Sequence, residues 1–240
     1  MMTRSYKIAD INISVTSLYN DIHEYCGDYR SEESPDIFIE ISQADIDFER
    51  EKSAREGHEV KNYSDAYLEE LAVYRKIAEK MPDFNTFLFH GSAVSVDGLA
   101  YMFTAPSGTG KSTHVKLWCE LLGNKAVMVN DDKPLIQINS DNAVVYGTPF
   151  NGKHRRGHNI SVPLKSICIL QRSNSNHIHE ITASEAYTVL LGQTYRPANS
   201  ISMEKTIQLL DRLKKFTKFY RLDCNMELEA AQIAYNSMKG

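Results

Sequence analysis

Ala105 to Thr113 read A-P-S-G-T-G-K-S-T, and the fold turns on how this stretch is interpreted. Ahead of it Leu99–Thr104 (LAYMFT) is apolar and strand-like. Behind it Val115, Leu117, Trp118, Leu121 and Leu122 recur at helical spacing. A glycine-rich turn between a strand and a helix is a phosphate cradle: Gly108 and Gly110 let backbone N–H groups converge on ligand oxygens, and the helix N-terminus adds the positive end of its dipole. Lys111 is expected to reach the β- and γ-phosphates and Ser112 to offer its hydroxyl to Mg²⁺, with Ser107, Thr109 and Thr113 completing the cradle. The general pattern opens on glycine, whereas Ala105 stands there in this chain. A bare G-K-S arises often by chance and then marks only a tight turn. S-G-x-G-K-S-T between a strand and a helix favours phosphate binding instead.

Moving outward, Phe87–Val96 (FLFHGSAVSV), Asp97-Gly98 and Leu99–Thr104 form a hairpin signature, because Asp-Gly supplies the positive φ angles of a type I′ turn. Downstream, the apolar strand Ala126–Asn130 runs into Asn130-Asp131-Asp132, with Asp131 nineteen residues after Ser112. One carboxylate at a strand tip can hold Mg²⁺ directly or through water, and its neighbour can accept a hydroxyl proton. Asn-Asp-Asp is also turn chemistry, and the phosphate loop upstream is what tips the reading to function. Pro134–Ile138, Ala143–Tyr146 and Ser166–Leu170 read as further strands, and Ser112–Leu122, Ser184–Gln193, Met203–Lys215 and Met226–Met238 as helices. Strands dominate the middle, so a mixed sheet is expected.

The main domain is expected over residues 85–240, after a small α/β unit over 1–84. In that unit Ile11, Ile13 and Val15 alternate with polar residues, Asp36–Ile41 (DIFIEI) repeats the pattern, and a helix should separate the two. Gln43 to Glu56 is charged and helical, stopped by Gly57. A second helix follows the N-cap Ser64, with Tyr67, Leu71, Tyr74 and Ala78 on one face, Leu68 and Ile77 beside them, and Met81-Pro82 at its end. The unit is expected to recognise an acceptor or to make subunit contacts in a homo-oligomer.

Composition narrows the classes. Of 240 residues, 42% are hydrophobic and 24% charged, and 27 basic against 31 acidic residues leave a net charge of −4, which excludes disordered and fibrous classes. An acidic chain with one short basic cluster, Lys153-His154-Arg155-Arg156-Gly157-His158, neutralises few phosphates, so nucleic acid is not expected as a partner. Without an apolar leader or a long apolar stretch, the expected location is the cytoplasm, with no membrane partner. Cys26, Cys119, Cys168 and Cys224 lie 49 to 93 residues apart with no C-x-x-C pair and read as reduced, mostly buried thiols.

Phe89-His90-Gly91, Ala105–Thr113 and Asn130-Asp131-Asp132 together resemble the bacterial HPr kinase/phosphorylase catalytic domain and, more distantly, the ATP-dependent phosphoenolpyruvate carboxykinases. The resemblance spans roughly Phe87 to Leu170. It implies a mixed-sheet α/β P-loop kinase domain, ATP and Mg²⁺ as cofactors, Lys111 on phosphate, Ser112 and Asp132 on the metal, Asp131 on the acceptor proton, and His90 lining the phosphate site. The order of the two aspartates is open to exchange. Arg156-Gly157 followed by Asn159-Ile160-Ser161-Val162 is similar to the family's arginine-glycine loop, with His154 where an acidic residue is usual. Thr113 also replaces an acidic residue, and residues 1–84 do not resemble the family's larger N-terminal domain.

The function expected is transfer of the ATP γ-phosphoryl to a hydroxyl of a protein, a peptide or a small molecule. A nucleotide-sensing module without turnover and a carboxykinase-like lyase are the alternatives. Arg156 is the expected charge on the transferring group, in a basic loop whose flanking Gly152 and Gly157 suit a closing lid. Trp118 reads as a core anchor, His177-x-His179 as part of a solvated loop, and Arg196 as a surface residue.

Overall fold

The computed structural model describes residues 1–55, 57, 63–152 and 155–240. The N-terminal part holds a three-stranded sheet, β1 (Met2–Ile8), β2 (Ile11–Ser17) and β3 (Ile37–Glu40), in that order. β1 and β2 are antiparallel across Ala9-Asp10, both at positive φ (54° and 60°) as a tight primed turn demands, and β3 joins β2 in parallel. The short helix α1 (Asp21–Tyr25) lies between β2 and β3. β1 has no counterpart in the sequence reading, because Arg4 and Lys7 interrupt its apolar alternation.

Helices α2 (Gln43–Arg55) and α3 (Asp65–Lys80) follow, and the Ser64 side chain caps α3 by accepting from the Tyr67 N–H at 3.2 Å. The buried face of α3 is Leu68, Ala72, Val73 and Ile77 with Ala78 and Glu69, while Tyr67 stays exposed. The expected tyrosine stripe is therefore one step out of phase. Period fixes amphipathicity, but the phase depends on what the helix meets. Glu69 clamps α3 to the end of β2: its carboxylate accepts from the N–H groups of Leu18 (2.6 Å) and Tyr19 (3.0 Å), and burial pushes its pKa up against those bonds.

Among the described residues, the rest of the chain builds a nine-stranded mixed sheet. Its strands are β4 (Thr86–Leu88), β5 (Ser92–Val96), β6 (Leu99–Thr104), β7 (Ala126–Asn130), β8 (Leu135–Ile138), β9 (Ala143–Tyr146), β10 (Ser161–Arg172), β11 (His177–Ile181) and β12 (Lys218–Cys224). The order β4-β8-β9-β10-β6-β5-β7 forks at β10, which also pairs with β12, and β11 flanks β12. Helices α4 (Lys111–Leu122), α5 (Ala183–Gln193), α6 (Ser200–Leu213) and α7 (Leu228–Met238) pack on it.

Asp97 and Gly98 turn the β5–β6 hairpin at φ 51° and 77°, as expected. The single strand expected over Phe87–Val96 is instead two. β4 pairs with β8 and β5 with β6, and the chain crosses between them at His90-Gly91, where a side chain on Gly91 would lie 2.9 Å from the Phe103 carbonyl oxygen. β6, β10 and β12 run parallel, so Thr104, Arg172 and Cys224 all deliver their strand ends to one edge of the sheet. That edge is where open α/β sheets bind ligands.

Trp118 is fully buried among Tyr101, Phe103 and Tyr235, with ring centroids 5.0–5.5 Å away, which makes it the expected core anchor. Another core cluster is built mostly from residues 6–81, and Leu88, Leu135 and Tyr146 of the larger sheet, with Phe150 beyond β9, complete it. Among the described residues, no helix is long and apolar enough to cross a membrane.

Candidate phosphate-binding site

The β6–α4 connection has the backbone its glycines allow. Gly108 (φ 76°) and Gly110 (φ 120°) occupy conformations that side chains rarely adopt, and Gly110 stands at the start of α4. The Thr109 hydroxyl donates to the Pro106 carbonyl at 2.8 Å, which closes the turn. Lys111 is buried and donates from Nζ to the Ala105 carbonyl at 2.8 Å, folded back over its own loop. Burial lowers its pKa, and the Asp132 carboxylate opposes that shift. Ser112 and Thr113 are exposed in the first turn of the helix.

The turn after β7 is shaped by Asn130, which is wholly buried. Its side-chain oxygen accepts from the N–H groups of Asp132 (2.9 Å) and Lys133 (2.6 Å). Its amide donates to Thr148, at 3.2 Å to the carbonyl and 3.1 Å to Oγ1. The two carboxylates consequently face different neighbours. Asp131 Oδ1 accepts from the Gly152 N–H at 2.7 Å. Asp132 Oδ1 lies 3.3 Å from His90 Nε2, and Oδ2 lies 3.2 Å from Lys133 Nζ. Burial raises the Asp132 pKa, but the bond from His90 and the charge of Lys133 outweigh it, and the carboxyl is held below its ordinary range. Lys133 in turn sits over the Tyr74 ring, 4.9 Å from its centroid, so α3 borders this group.

A cleft of about 290 Å³ brings together Ser92, Ser112, Thr113, Asp131 and Arg156. His90 and Asp132 form a second group through their contact, and the Asp132 charge reaches Lys111. Arg156, distant in sequence, thus faces the same space as the loop hydroxyls. Lys153 and His154 lie outside the described residues. The described ends of the basic run are both bonded: Gly152 donates to Asp131, and His158 donates to β7 through its N–H to Val129 O (3.1 Å) and Nδ1–H to Met128 O (2.8 Å). A Cβ on Gly157 would meet the Asn151 side chain at 2.1 Å, so a larger residue there would have to displace it. Arg155 leaves the cleft and lies over the Tyr25 ring at 4.3 Å.

His177 and His179 sit on strand β11, not in a loop, and their rings stack 5.6 Å apart. Arg196 is exposed. Among the described residues, no three His, Cys, Asp or Glu side chains converge to hold a metal. Mg²⁺ needs no such cage, because one or two carboxylates, a hydroxyl and ligand phosphates suffice, and Ser112, Asp131 and Asp132 are donors of that kind.

Arg172, at the end of β10, has no sequence signature. Its guanidinium donates to the Thr109 carbonyl at 3.1 Å and also to the Gly108 carbonyl, bracing the loop from the neighbouring strand. A second cavity, of about 660 Å³, opens on that side of the loop between Gly108–Gly110, Leu170, Arg172, Cys224 and Met226.

No family model and no curated protein matches the sequence. Among solved structures, the HPr(Ser) kinase/phosphatase from Coxiella burnetii aligns with 53% of this chain and 92% of its own, at 12% identity and a TM-score of 0.30. At that score the likeness carries no argument about what the site does.

Proposed function

We propose that the chain is an ATP- and Mg²⁺-dependent phosphotransferase that moves the γ-phosphoryl group to a hydroxyl of a protein, a peptide or a small molecule. On this reading the larger sheet is a phosphate-loop kinase fold of the HPr kinase/phosphoenolpyruvate carboxykinase type. The observation that carries it is one juxtaposition. A glycine-rich loop with two positive-φ glycines opens α4, and across a small cleft from its Ser112 hydroxyl lie a strand-end aspartate and an arginine.

In that arrangement Lys111 exchanges its bond to Ala105 for phosphate oxygens, and the loop N–H groups hold the rest of the chain of phosphates. Bound Mg²⁺ would neutralise charge on those phosphates. Ser112 and Asp132 would hold it. Support for Asp132 in this role is its carboxyl, kept ionised by His90 and Lys133. Asp131 then accepts the acceptor's proton, being the carboxylate that shares the cleft with Ser112 and Arg156. Arg156 meets the charge of the transferring group. Residues 1–84 would receive the acceptor, a role supported by Lys133, which links Asp132 to Tyr74 of α3.

The test is nucleotide-dependent stabilisation. A ligand at ~100 times its dissociation constant adds about 2.7 kcal/mol to stability, a clear melting shift. Wild type should shift with Mg-ATP and Lys111→Ala should not. No shift in wild type at millimolar Mg-ATP refutes the phosphate-loop reading, and binding without transfer to any hydroxyl acceptor would make the chain a sensor.

A further inference from the structure

A cavity of about 360 Å³ opens between α2 and α3. Its described lining residues come from positions 49–75, with one exception, Lys133 of the turn after β7. None belongs to Ala105–Thr113, so a phosphate chain held on that loop does not fill it. The cavity is where the displaced stripe of α3 goes. Tyr67, Leu71 and Tyr74 recur at i, i+4 and i+7 on one helical face, and that face, which is not the one buried in the core, lines this space. Tyr63 adds a third phenol, meeting Tyr67 edge to face with ring centroids 5.1 Å apart, and Tyr67 is 43% exposed. Such rings bury an apolar group well.

The charge in the cavity is lopsided. Among the described residues that line it, Lys52, Arg75 and Lys133 face a single carboxylate, Glu49, which Arg75 already holds. Aromatic walls with surplus positive charge complement a ligand that presents an apolar group beside an anionic one. Lys133 ties this cavity to the chemistry. Its ammonium lies 3.2 Å from Asp132 Oδ2 and 4.9 Å from the Tyr74 ring centroid. Burial raises the pKa of Tyr67 and of Tyr74, and the Asp132 charge is among those that raise both further, so its field reaches the cavity as it reaches Lys111. A ligand that uses both the cavity and the carboxylate turn has to extend past the ammonium, as a peptide chain does at about 3.3–3.6 Å per residue.

We propose that this cavity selects the acceptor, a peptide or protein segment whose hydroxyl residue is followed or preceded within three residues by an apolar side chain, packed among the tyrosines, and a carboxylate, met by Lys52 and Lys133. The inference rests on the phosphotransferase reading above and adds to it the acceptor's class. In that reaction the serine or threonine oxygen bonds the γ-phosphorus as the bond to the ADP oxygen breaks, and the hydroxyl proton passes to Asp131.

Serine peptides of one length test it in a transfer assay with Mg-ATP. They differ only in a leucine-glutamate, leucine-lysine or glycine-glutamate pair set one to three residues from the serine. For wild type the best leucine-glutamate peptide should exceed every peptide of the other two kinds at least about 10-fold in kcat/KM, and the difference should lie in KM, as it does for an interaction made equally before and during transfer. Lys52→Glu should close most of the gap between glutamate and lysine pairs, and Tyr67→Ala most of the gap between leucine and glycine pairs. Equal kcat/KM for the three kinds at every spacing overturns the proposal, as does a preference that both variants keep in full. If Mg-ATP binds but no peptide accepts phosphate, this proposal falls while the nucleotide reading stands; if Mg-ATP does not bind, the nucleotide reading falls and takes this one with it. Should the variants not fold, wild type decides: the glutamate preference should shrink as salt rises from about 0.05 to about 0.5 M, and a preference that salt leaves unmoved overturns the assignment.

Discussion

Replacing Asn130 with leucine, a side chain of similar size, tests whether one buried amide builds the carboxylate turn. The side chain is fully buried and makes four hydrogen bonds. Not all four are equally missed. The Thr148 carbonyl keeps a second donor in Asn151 Nδ2 (3.1 Å), and Thr148 Oγ1 keeps its contacts with Lys133 O and Phe150 N. The N–H groups of Asp132 and Lys133 lose the side-chain acceptor they share. At roughly 1–3 kcal/mol for each stranded group, less whatever water recovers at this half-buried turn, the loss is about 3 kcal/mol. For a chain of this length that is roughly 6–12 °C in melting temperature, readable by calorimetry or circular dichroism. Turnover should fall further than stability does, because Asp131 and Asp132 are aimed by the same turn. A variant that melts within about 2 °C of wild type and retains turnover would show that the turn holds itself and that Asn130 is incidental.

Asp131→Asn should keep ATP binding and lose turnover by about 10²–10⁴-fold, whereas Asp132→Asn should weaken the Mg²⁺ dependence of binding itself; calorimetry beside a phosphate-transfer assay distinguishes them. Arg156→Lys should fail nearly as badly as Arg156→Ala in the transfer assay, since a planar guanidinium makes paired bonds that an ammonium does not reproduce; a wild-type rate for the lysine variant would reduce Arg156 to general charge. Because the folded pKa of Asp132 is held below the ordinary range, its stabilising contribution is present above the unfolded value, ~4, and lost as pH falls through the folded one. Urea midpoints from pH 6 down to pH 3 should therefore fall less steeply for Asp132→Asn than for wild type. Gly147→Ala should cost about 3 kcal/mol in urea unfolding, because its Cβ would lie 1.8 Å from the His158 carbonyl oxygen, backbone that has no freedom to step aside.

What was legible in the sequence was local. The Asp97-Gly98 turn, the Ser64 cap and the glycine loop before α4 each have a conformational requirement that only certain residues meet, and those residues announce it. What was hidden depended on pairing across the chain. Among the described residues β11 (HIHEI) pairs only with β12, and such an edge strand leaves its polar residues in water and reads like a loop. The break at His90-Gly91 follows from two different partner strands competing for one apolar run. Arg172 gains its meaning from the parallel register of β10 beside β6, which no spacing within Ser166–Arg172 encodes.

The core cluster that joins residues 6–81 to Leu88, Leu135, Tyr146 and Phe150 also sets a timetable for synthesis. A ribosome emits the three-stranded sheet and α3 first, with an apolar surface whose covering residues are still untranslated. From Met81 to Phe150 the delay is roughly 3–14 s at ~5–20 residues per second. Through that interval the nascent chain carries an unfinished hydrophobic face, a natural client for a chaperone. A stop or pause before Phe150 would leave a fragment prone to aggregation rather than a smaller folded protein.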